Sequence, residues 1–225
     1  MISIVIPVLD EAANLERLLP DLLARHPGAE LIVVDGGSRD ASPAVVARHP
    51  GVGLLSTERG RARQMNAGAR AARGDQLLFV HADTRLPDGA LAAVKRALVD
   101  PGVVGGRFDV AFDSARPILK VVAWFMNTRS RLTGICTGDQ AIFVRRSVFE
   151  ALGGYPDIPL MEDVELSKRL KRRGRLEALR LRVTTSARKW ERDGPIRTIL
   201  LMWTLRILYF CGAAPARLHR WYYGG

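Results

Sequence analysis

The chain has 225 residues, of which 48% are hydrophobic and 25% are charged. These values are typical of one globular domain with a full hydrophobic core, and they argue against intrinsic disorder. Lysine and arginine number 34 against 23 acidic residues, so the formal net charge of +11 favours a polyanionic partner, such as nucleotide phosphates, anionic lipid or nucleic acid.

Apolar strands alternate with amphipathic helices, which is the pattern of an α/β fold with a mostly parallel sheet. Strands are expected over residues 2–8, 31–34, 52–55, 76–80, 103–112, 141–144 and 176–183. Helices are expected over residues 15–23, 59–73, 88–98, 117–132, 159–173 and 196–212. Several strands, 76–80 among them, are apolar without alternation, which indicates burial on both faces of the sheet.

Acidic side chains follow two of these strands, at the sheet edge where open α/β folds bind ligands. Asp35, followed by two glycines, can accept a hydrogen bond from a ribose hydroxyl or a base N–H; a turn with a helix cap is the alternative. Asp83 follows the strand over 76–80 and is well placed to hold a divalent cation over a phosphate. A capped turn is again the alternative.

Three arginines, Arg59, Arg61 and Arg63, stand at alternate positions where a helix begins. Guanidinium groups and outward-pointing backbone N–H groups suit a phosphate-bearing ligand there, and a solvated basic face is the alternative. The sequence contains neither G-x-G-x-x-G nor G-x-x-x-x-G-K-[ST]. Dinucleotide and P-loop sites therefore lack their best sequence support.

Acidic residues recur in the second half of the chain. Asp139 lies in the polar turn 137–140, and Glu162, Asp163 and Glu165 fall in the first turn of a helix. First-turn acids stabilise a helix through its dipole, and one of them acting as a general base is the functional alternative.

The C-terminal helix over 196–212 is strongly apolar but carries Arg197 and Arg206. Its length and Arg206 argue against a membrane span, so it is expected to pack on the domain, form a dimer or lie in a membrane interface. The tail over 217–223, rich in Arg, Trp and Tyr, suits a lipid headgroup region. Two cysteines without paired spacing, and no basic leader before the first strand, predict a cytoplasmic protein.

Four motifs in this order resemble those of family 2 glycosyltransferases: IVIPVLDE at 4–11, VVDGGSRD at 33–40, HAD at 81–83 and the Glu162-Asp163 pair. Further runs, RGRARQMN at 59–66, GDQ at 138–140 and RKWE at 188–191, are similar to a small bacterial, non-processive subgroup. The resemblance spans about residues 2–190. It implies the GT-A fold, a mostly parallel central sheet flanked by helices, here as a domain over 1–195 followed by a helical appendage over 196–225.

The resemblance also implies a role for each matching residue. The donor-binding residues would be Pro7, Asp10, Glu11, Asp35, Arg61, Ala82, Asp83 and Arg188. The acceptor-side residues would be Gly138, Asp139, Gln140 and Trp190. Asp163, with Glu162 beside it, matches the general base that deprotonates the acceptor. Asp83 matches the last acid of the family's D-x-D motif, which coordinates Mn²⁺ or Mg²⁺, whereas His81 stands where the first Asp usually lies.

The function implied is an inverting, metal-dependent transfer of a sugar from a nucleotide-diphosphate sugar, with a UDP-sugar favoured, to an acceptor hydroxyl. A lipid-linked acceptor and attachment to the anionic inner face of the membrane are compatible with the basic apolar C-terminus. The acceptor and the oligomeric state stay open. A nucleotidyltransferase acting on a sugar phosphate and a non-catalytic basic membrane-surface protein are the alternatives, while nucleic acid is disfavoured because basic and aromatic residues interleave only in the tail.

Overall fold

The computed structural model describes residues 1–223 and contains one eight-stranded sheet, with strand order β3-β2-β1-β4-β7-β6-β8-β5. The strands are β1 (Ile2–Val8), β2 (Glu30–Asp35), β3 (Val52–Ser56), β4 (Gln76–Phe79), β5 (Thr84–Arg85), β6 (Val103–Phe112), β7 (Phe143–Arg145) and β8 (Arg175–Thr185). Strands β1 to β4 run parallel to one another, β7 is antiparallel to both of its neighbours, and β6 and β8 are parallel. The predicted α/β class with a mostly parallel sheet is confirmed.

Ten α-helices surround the sheet within residues 1–223. They are α1 (Ala12–Arg25), α2 (Ser42–Ala47), α3 (Arg61–Ala71), α4 (Ala90–Ala97), α5 (Pro117–Thr133), α6 (Arg146–Ala151), α7 (Glu162–Lys171), α8 (Arg188–Asp193), α9 (Pro195–Phe210) and α10 (Pro215–Tyr223). The sequence did not predict the helices α2, α6 and α8 or the two-residue strand β5. A six-residue helix completes too little of the 3.6-residue period to show an apolar face.

The core lies on both faces of the sheet, which accounts for strands that are apolar without alternation. On one face, Ile4 and Ile6 of β1 pack in a cluster that includes residues of α1, α2 and α4. On the other, Val5 packs in a cluster that includes residues of α3, α6 and α7. A Cβ at Gly68 would overlap Val5, so the glycine allows α3 to lie close against β1. This close packing fixes the start of α3 beside the ends of β1 and β2.

The C-terminal helices pack against α7. Leu205 of α9 and Leu218 of α10 are buried in one cluster with Met161 and Val164, which flank the acidic pair at the start of α7. Residues 196–225, interpreted as an appendage, thus begin with a helix that contacts the predicted catalytic segment, and their last two residues lie outside the described part of the chain. Among residues 1–223, no helix has both the length and the apolar character needed to cross a membrane.

Candidate active site

A buried amide holds the ends of β1 and β2 together. Gln64 of α3 donates its side-chain N–H groups to the carbonyl oxygens of Val8 and Val34, at 2.7 and 2.8 Å. Its side chain also lies against Gly36, where a Cβ would be 3.0 Å away. Gln64 therefore sets the spacing of the two loops that follow these strands. Gln64 was not among the residues predicted to form the site.

The same loops are joined by Asp10, a predicted donor-binding residue. Asp10 has a left-handed backbone, with φ of 56°. Its Oδ1 accepts a hydrogen bond from the backbone N–H of Arg39 at 2.7 Å, and its own N–H donates to Ser38 Oγ at 2.9 Å. A cleft of about 340 Å³ opens between the loops. It is lined by Leu9, Asp10, Gly36, Gly37, Arg39 and Arg59. Asp10 thus borders the cleft, together with Arg59, which was predicted to suit a phosphate-bearing ligand, and Arg39, which was given no role.

Asp35 and Pro7 do not line this cleft. Asp35 is buried, and its carboxylate accepts hydrogen bonds from the N–H groups of Gly37 and Ser38 and from Ser38 Oγ. This carboxylate therefore stabilises its own turn. Pro7 pairs in register with Val34 near the end of β1. Their predicted contacts with the nucleoside stay predictions.

Arg61, the first residue of α3, faces the acidic pair of α7. Its Nη1 lies 3.7 Å from Glu162 Oε1, and the Arg61 side chain is half exposed whereas that of Glu162 is buried. Burial would lower the pKa of Arg61, but the neighbouring carboxylates, led by Glu162, outweigh it and raise that pKa. Burial first, and then the charge of Asp163, raises the pKa of Glu162 to about 7, against the opposing effect of Arg61. Glu162 is therefore partly protonated near neutral pH.

Asp163 is held by the turn that precedes β7. Its Oδ2 accepts a hydrogen bond from the backbone N–H of Gly138 at 3.1 Å, while Oδ1 accepts one from its neighbour Val164 at 2.7 Å. Gly138 in turn lies on the imidazole of His81, because a Cβ at residue 138 would be 2.6 Å from His81 Cε1. The turn thus joins the start of α7 to the segment that follows β4.

His81 and Asp139 form a pair within this junction. His81 Nδ1 lies 3.5 Å from Asp139 Oδ1, and His81 Nε2 is buried without a hydrogen-bond partner among residues 1–223. Burial would raise the pKa of Asp139, but His81, Arg61 and Arg206 lower it. Asp139 therefore stays ionised beside His81 and near the guanidinium groups of Arg61 and Arg206.

The predicted metal residue Asp83 follows β4 and is partly exposed. Within the described residues, its side chain has one hydrogen bond, accepted from Thr84 Oγ1 at 3.4 Å, so most of its lone pairs are open to a ligand. In the described part of the chain, no three His, Cys, Asp or Glu side chains gather closely enough to hold a metal ion on their own. Mg²⁺ is commonly held by one or two carboxylates plus substrate phosphates. The free carboxylate of Asp83 fits such a site.

The remaining predicted residues lie around this centre. Arg188 of α8 approaches Glu11, with Nη2 and Oε1 3.7 Å apart, which joins α8 to the loop after β1. Gln140 is fully buried, and its amide bonds to Thr137 and Asn127, so it supports the turn that carries Gly138.

Trp190 packs edge-on against Phe112, with ring centroids 5.4 Å apart. Ala82 is buried between His81 and Asp83. Their roles toward donor or acceptor stay predictions.

Residues 3–153, about two thirds of the chain, match the model of the family described as glycosyl transferase family 2. The chain belongs to this family. The motifs predicted this family. The match includes Asp83 and Gly138 but ends before Glu162 and Asp163, so the position of the acid pair rests on the structure of the chain itself.

Solved family 2 enzymes share the fold. The chain superposes on the mannosyltransferase PcManGT of Pyrobaculum calidifontis, determined with GDP-Man and Mn²⁺, with a TM-score of 0.64 at 25% identity, covering 81% of this chain and 56% of that one. TarS of S. aureus, determined with UDP-GlcNAc, gives a TM-score of 0.65 at 14% identity over 82% and 58% of the two chains. The GT-A fold is thereby confirmed.

An uncharacterized protein of Mycobacterium tuberculosis is 38% identical over 109 residues, which are 46% of this chain and 34% of that protein. The chain thus spans about a third of this relative and little more than half of the structural neighbours.

Proposed function

We propose that this glycosyltransferase transfers a sugar from a nucleotide-diphosphate sugar to an acceptor hydroxyl by a single displacement with inversion, and that Asp163 is the general base. The observation that supports this role most directly is the hydrogen bond from Gly138 to Asp163, because Gly138 also contacts His81. The base is thereby fixed next to the segment that carries Asp83. A general base must lie within reach of the proton that it removes, and a carboxylate can do so at neutral pH.

In the proposed step, the acceptor hydroxyl transfers its proton to Asp163 as its oxygen attacks the anomeric carbon. The bond from that carbon to the diphosphate oxygen breaks on the opposite side, so the anomeric configuration inverts. Arg61 lies beside Glu162 with half of its side chain exposed, and its guanidinium can bind the phosphate groups of the donor. Partial protonation of Glu162 limits the negative charge around Asp163.

A divalent cation is part of the proposal. Asp83 and His81 would hold Mn²⁺ or Mg²⁺, since a carboxylate suits either ion and an imidazole suits the softer Mn²⁺. When bound, the ion supplies positive charge that neutralises the departing diphosphate. The presence of Mn²⁺ in the PcManGT structure supports this choice.

For the donor we favour a UDP-sugar. TarS was determined with UDP and with UDP-GlcNAc, whereas PcManGT was determined with GDP-Man. The cleft between the loops after β1 and β2 is lined by Arg39 and Arg59 and by two glycines, which lets a nucleotide approach the backbone. A direct comparison of nucleotides tests this preference.

We place the enzyme in the cytoplasm, peripherally at the inner face of the cell membrane. Large apolar side chains are exposed along α5, α9 and α10: Trp124, Phe125, Ile196, Leu200, Trp203, Ile207, Phe210 and Trp221. Basic residues such as Arg197 lie among them. Aromatic and basic side chains together favour an anionic lipid interface, where a lipid-linked acceptor would be available.

Calorimetric titration of the protein with UDP, GDP and dTDP, each with and without Mn²⁺, tests the donor and metal parts of this proposal. We expect metal-dependent binding of one nucleotide, weakened at least tenfold in Asp83→Asn. Asp88→Asn, which removes an almost fully exposed carboxylate five residues away, is the matched control. Nucleotide binding that is equal with and without metal, and equal in both variants, would refute the role of Asp83.

A further inference from the structure

Two arginines that the proposed reaction does not use lie beside the acid pair. Arg129 belongs to α5 and Arg206 to α9, and these helices pack against one another. Leu205, the residue before Arg206, is buried against Met161 and Val164, the residues on either side of Glu162 and Asp163. Tyr209, one turn later, donates from its hydroxyl to Glu165 of α7 at 3.2 Å. Helix α9 thus runs along the start of α7 and presents Arg206 next to the acid pair.

Both guanidinium groups lack partners. Within residues 1–223, neither Arg129 nor Arg206 has a side-chain hydrogen bond or a carboxylate within 4.0 Å, and the Nη2 of Arg129 is fully buried. Burial first, and then the like charge of Arg206, lowers the pKa of Arg129 to about 10, against the opposing effect of Asp163. Burial also lowers the pKa of Arg206, and Asp163 and Asp139 oppose that shift. The carboxylate of Asp163 therefore acts on both groups.

Arg107, in the same region, is a buried arginine with a structural role. Arg107 is almost fully buried, and its guanidinium donates to Ser130 Oγ, to the carbonyl oxygen of Asn127 and to the carboxylate of Asp109. Burying a charged donor without such partners destabilises a protein, so unpaired buried groups require an explanation. The packing of α5 on α9, and of α9 on the start of α7, brings Arg129 and Arg206 to the acid pair without protein partners among residues 1–223, and two such guanidinium groups favour an anionic ligand.

We propose that Arg129 and Arg206 bind a phosphate group of the acceptor and thereby position its hydroxyl at Asp163. This inference rests on the proposed function, because it assigns the acceptor class of the same site. A phosphate monoester carries a charge between −1 and −2 at neutral pH and accepts bidentate hydrogen bonds from guanidinium groups, so it matches two arginines better than a single carboxylate does. The phosphate can belong to a lipid headgroup or to a soluble phosphate ester.

To test the proposal, the full chain is saturated with UDP and Mn²⁺ so that the donor site is filled. The protein is then titrated with inorganic phosphate by calorimetry. We expect phosphate to bind and to raise the melting temperature, and each of Arg129→Gln and Arg206→Gln to weaken its binding about tenfold. Arg206→Lys keeps the charge but loses the bidentate geometry, so it should weaken binding as well. Arg70→Gln, at an exposed position of α3, is the matched control and should bind phosphate like the unsubstituted protein.

Stability provides a second readout. An arginine with a structural role should lower the melting temperature when it is replaced, whereas replacing an unpaired buried charge should leave that temperature equal or raise it. Unchanged phosphate affinity in both glutamine variants overturns the proposal, and so does an equal loss of affinity in Arg70→Gln. A loss of UDP affinity in these variants also overturns it, because the arginines would then belong to the donor diphosphate. If UDP fails to bind at all while phosphate still depends on both arginines, the proposed donor has failed and the anion site stands.

Two probes separate the sources of the phosphate. Glycerol 3-phosphate represents a soluble ester, and phosphatidylcholine vesicles containing phosphatidic acid represent a lipid headgroup. Binding of either one that depends on Arg129 and Arg206 supports the site and identifies its source. Binding of neither overturns the acceptor role.

Discussion

The imidazole of His81 lies directly against Gly138, so that a Cβ at residue 138 would be 2.6 Å from His81 Cε1. The N–H of the same glycine donates to the Asp163 carboxylate. A side chain at residue 138 would therefore displace either the segment after β4 or the general base of the proposed reaction. Displacements of about 1 Å in an active site reduce turnover strongly.

We predict that Gly138→Ala lowers the transfer rate about a hundredfold. The rate is measured as nucleotide released from the donor in the presence of acceptor lipid or phosphate ester. Gly28→Ala is the matched control, because a Cβ at residue 28 has no neighbour within 4 Å. Equal rates in the two variants would show that the contact with His81 does not position the base.

Asp163→Asn should abolish transfer while leaving nucleotide binding intact. Asparagine keeps an oxygen that can accept the Gly138 hydrogen bond but cannot take a proton from the acceptor, so the rate should fall by a factor of about 10² to 10⁴. The rate is measured by nucleotide release and the affinity by calorimetry. Glu165→Gln, an acid in the same helical turn that bonds to Arg169 and Tyr209, should keep most of the activity. If Asp163→Asn loses nucleotide binding as well, Asp163 serves donor capture rather than proton transfer.

Glu162 should make the protein less stable as pH rises. Burial and Asp163 raise its pKa from 4.5 to about 7 in the folded chain, so the folded state holds this proton more tightly than the unfolded state does. Stability from this group is fully present below pH 4.5 and is lost as pH rises through 7. The free energy of unfolding, measured with urea from pH 5 to pH 8, should therefore fall less in Glu162→Gln than in the unsubstituted protein, by on the order of 2 kcal/mol.

The matched control for Glu162 is Glu150→Gln, which removes the same chemical group from an exposed helical position. Its stability should follow that of the unsubstituted protein across the pH range. A Glu162→Gln variant with the same pH dependence as Glu150→Gln would contradict the effect assigned to burial.

The sequence was most informative where a motif coincides with the end of a buried strand. Asp83 was predicted in this way, whereas the Glu162-Asp163 pair was predicted from its place in the order of the motifs and in the first turn of a helix. Gln64 was missed because a single glutamine in a helix carries no pattern, and its role depends on reaching two carbonyl groups from separate strands. Arg129 and Arg206 were missed for a related reason. They are 77 residues apart, and only the packing of α5, α7 and α9 brings them to Asp163.

The exposed apolar face of α9 should hold the protein on anionic membranes. Trp203 and Phe210 are 55% and 60% exposed. Burial of such side chains in a lipid interface is favourable, so they are suited to bind a membrane. We predict that the protein floats with vesicles of phosphatidylcholine and phosphatidylglycerol, and that Trp203→Ser combined with Phe210→Ser reduces the bound fraction at least fivefold. Val99→Ser, which removes an apolar side chain that is 80% exposed after α4, is the matched control and should float normally. Flotation that is equally strong in the double variant would remove α9 as the membrane-binding element.

Ionic strength provides a further test of membrane binding, because the basic residues contribute through charge. Binding should weaken as ionic strength rises but persist in part through the aromatic side chains.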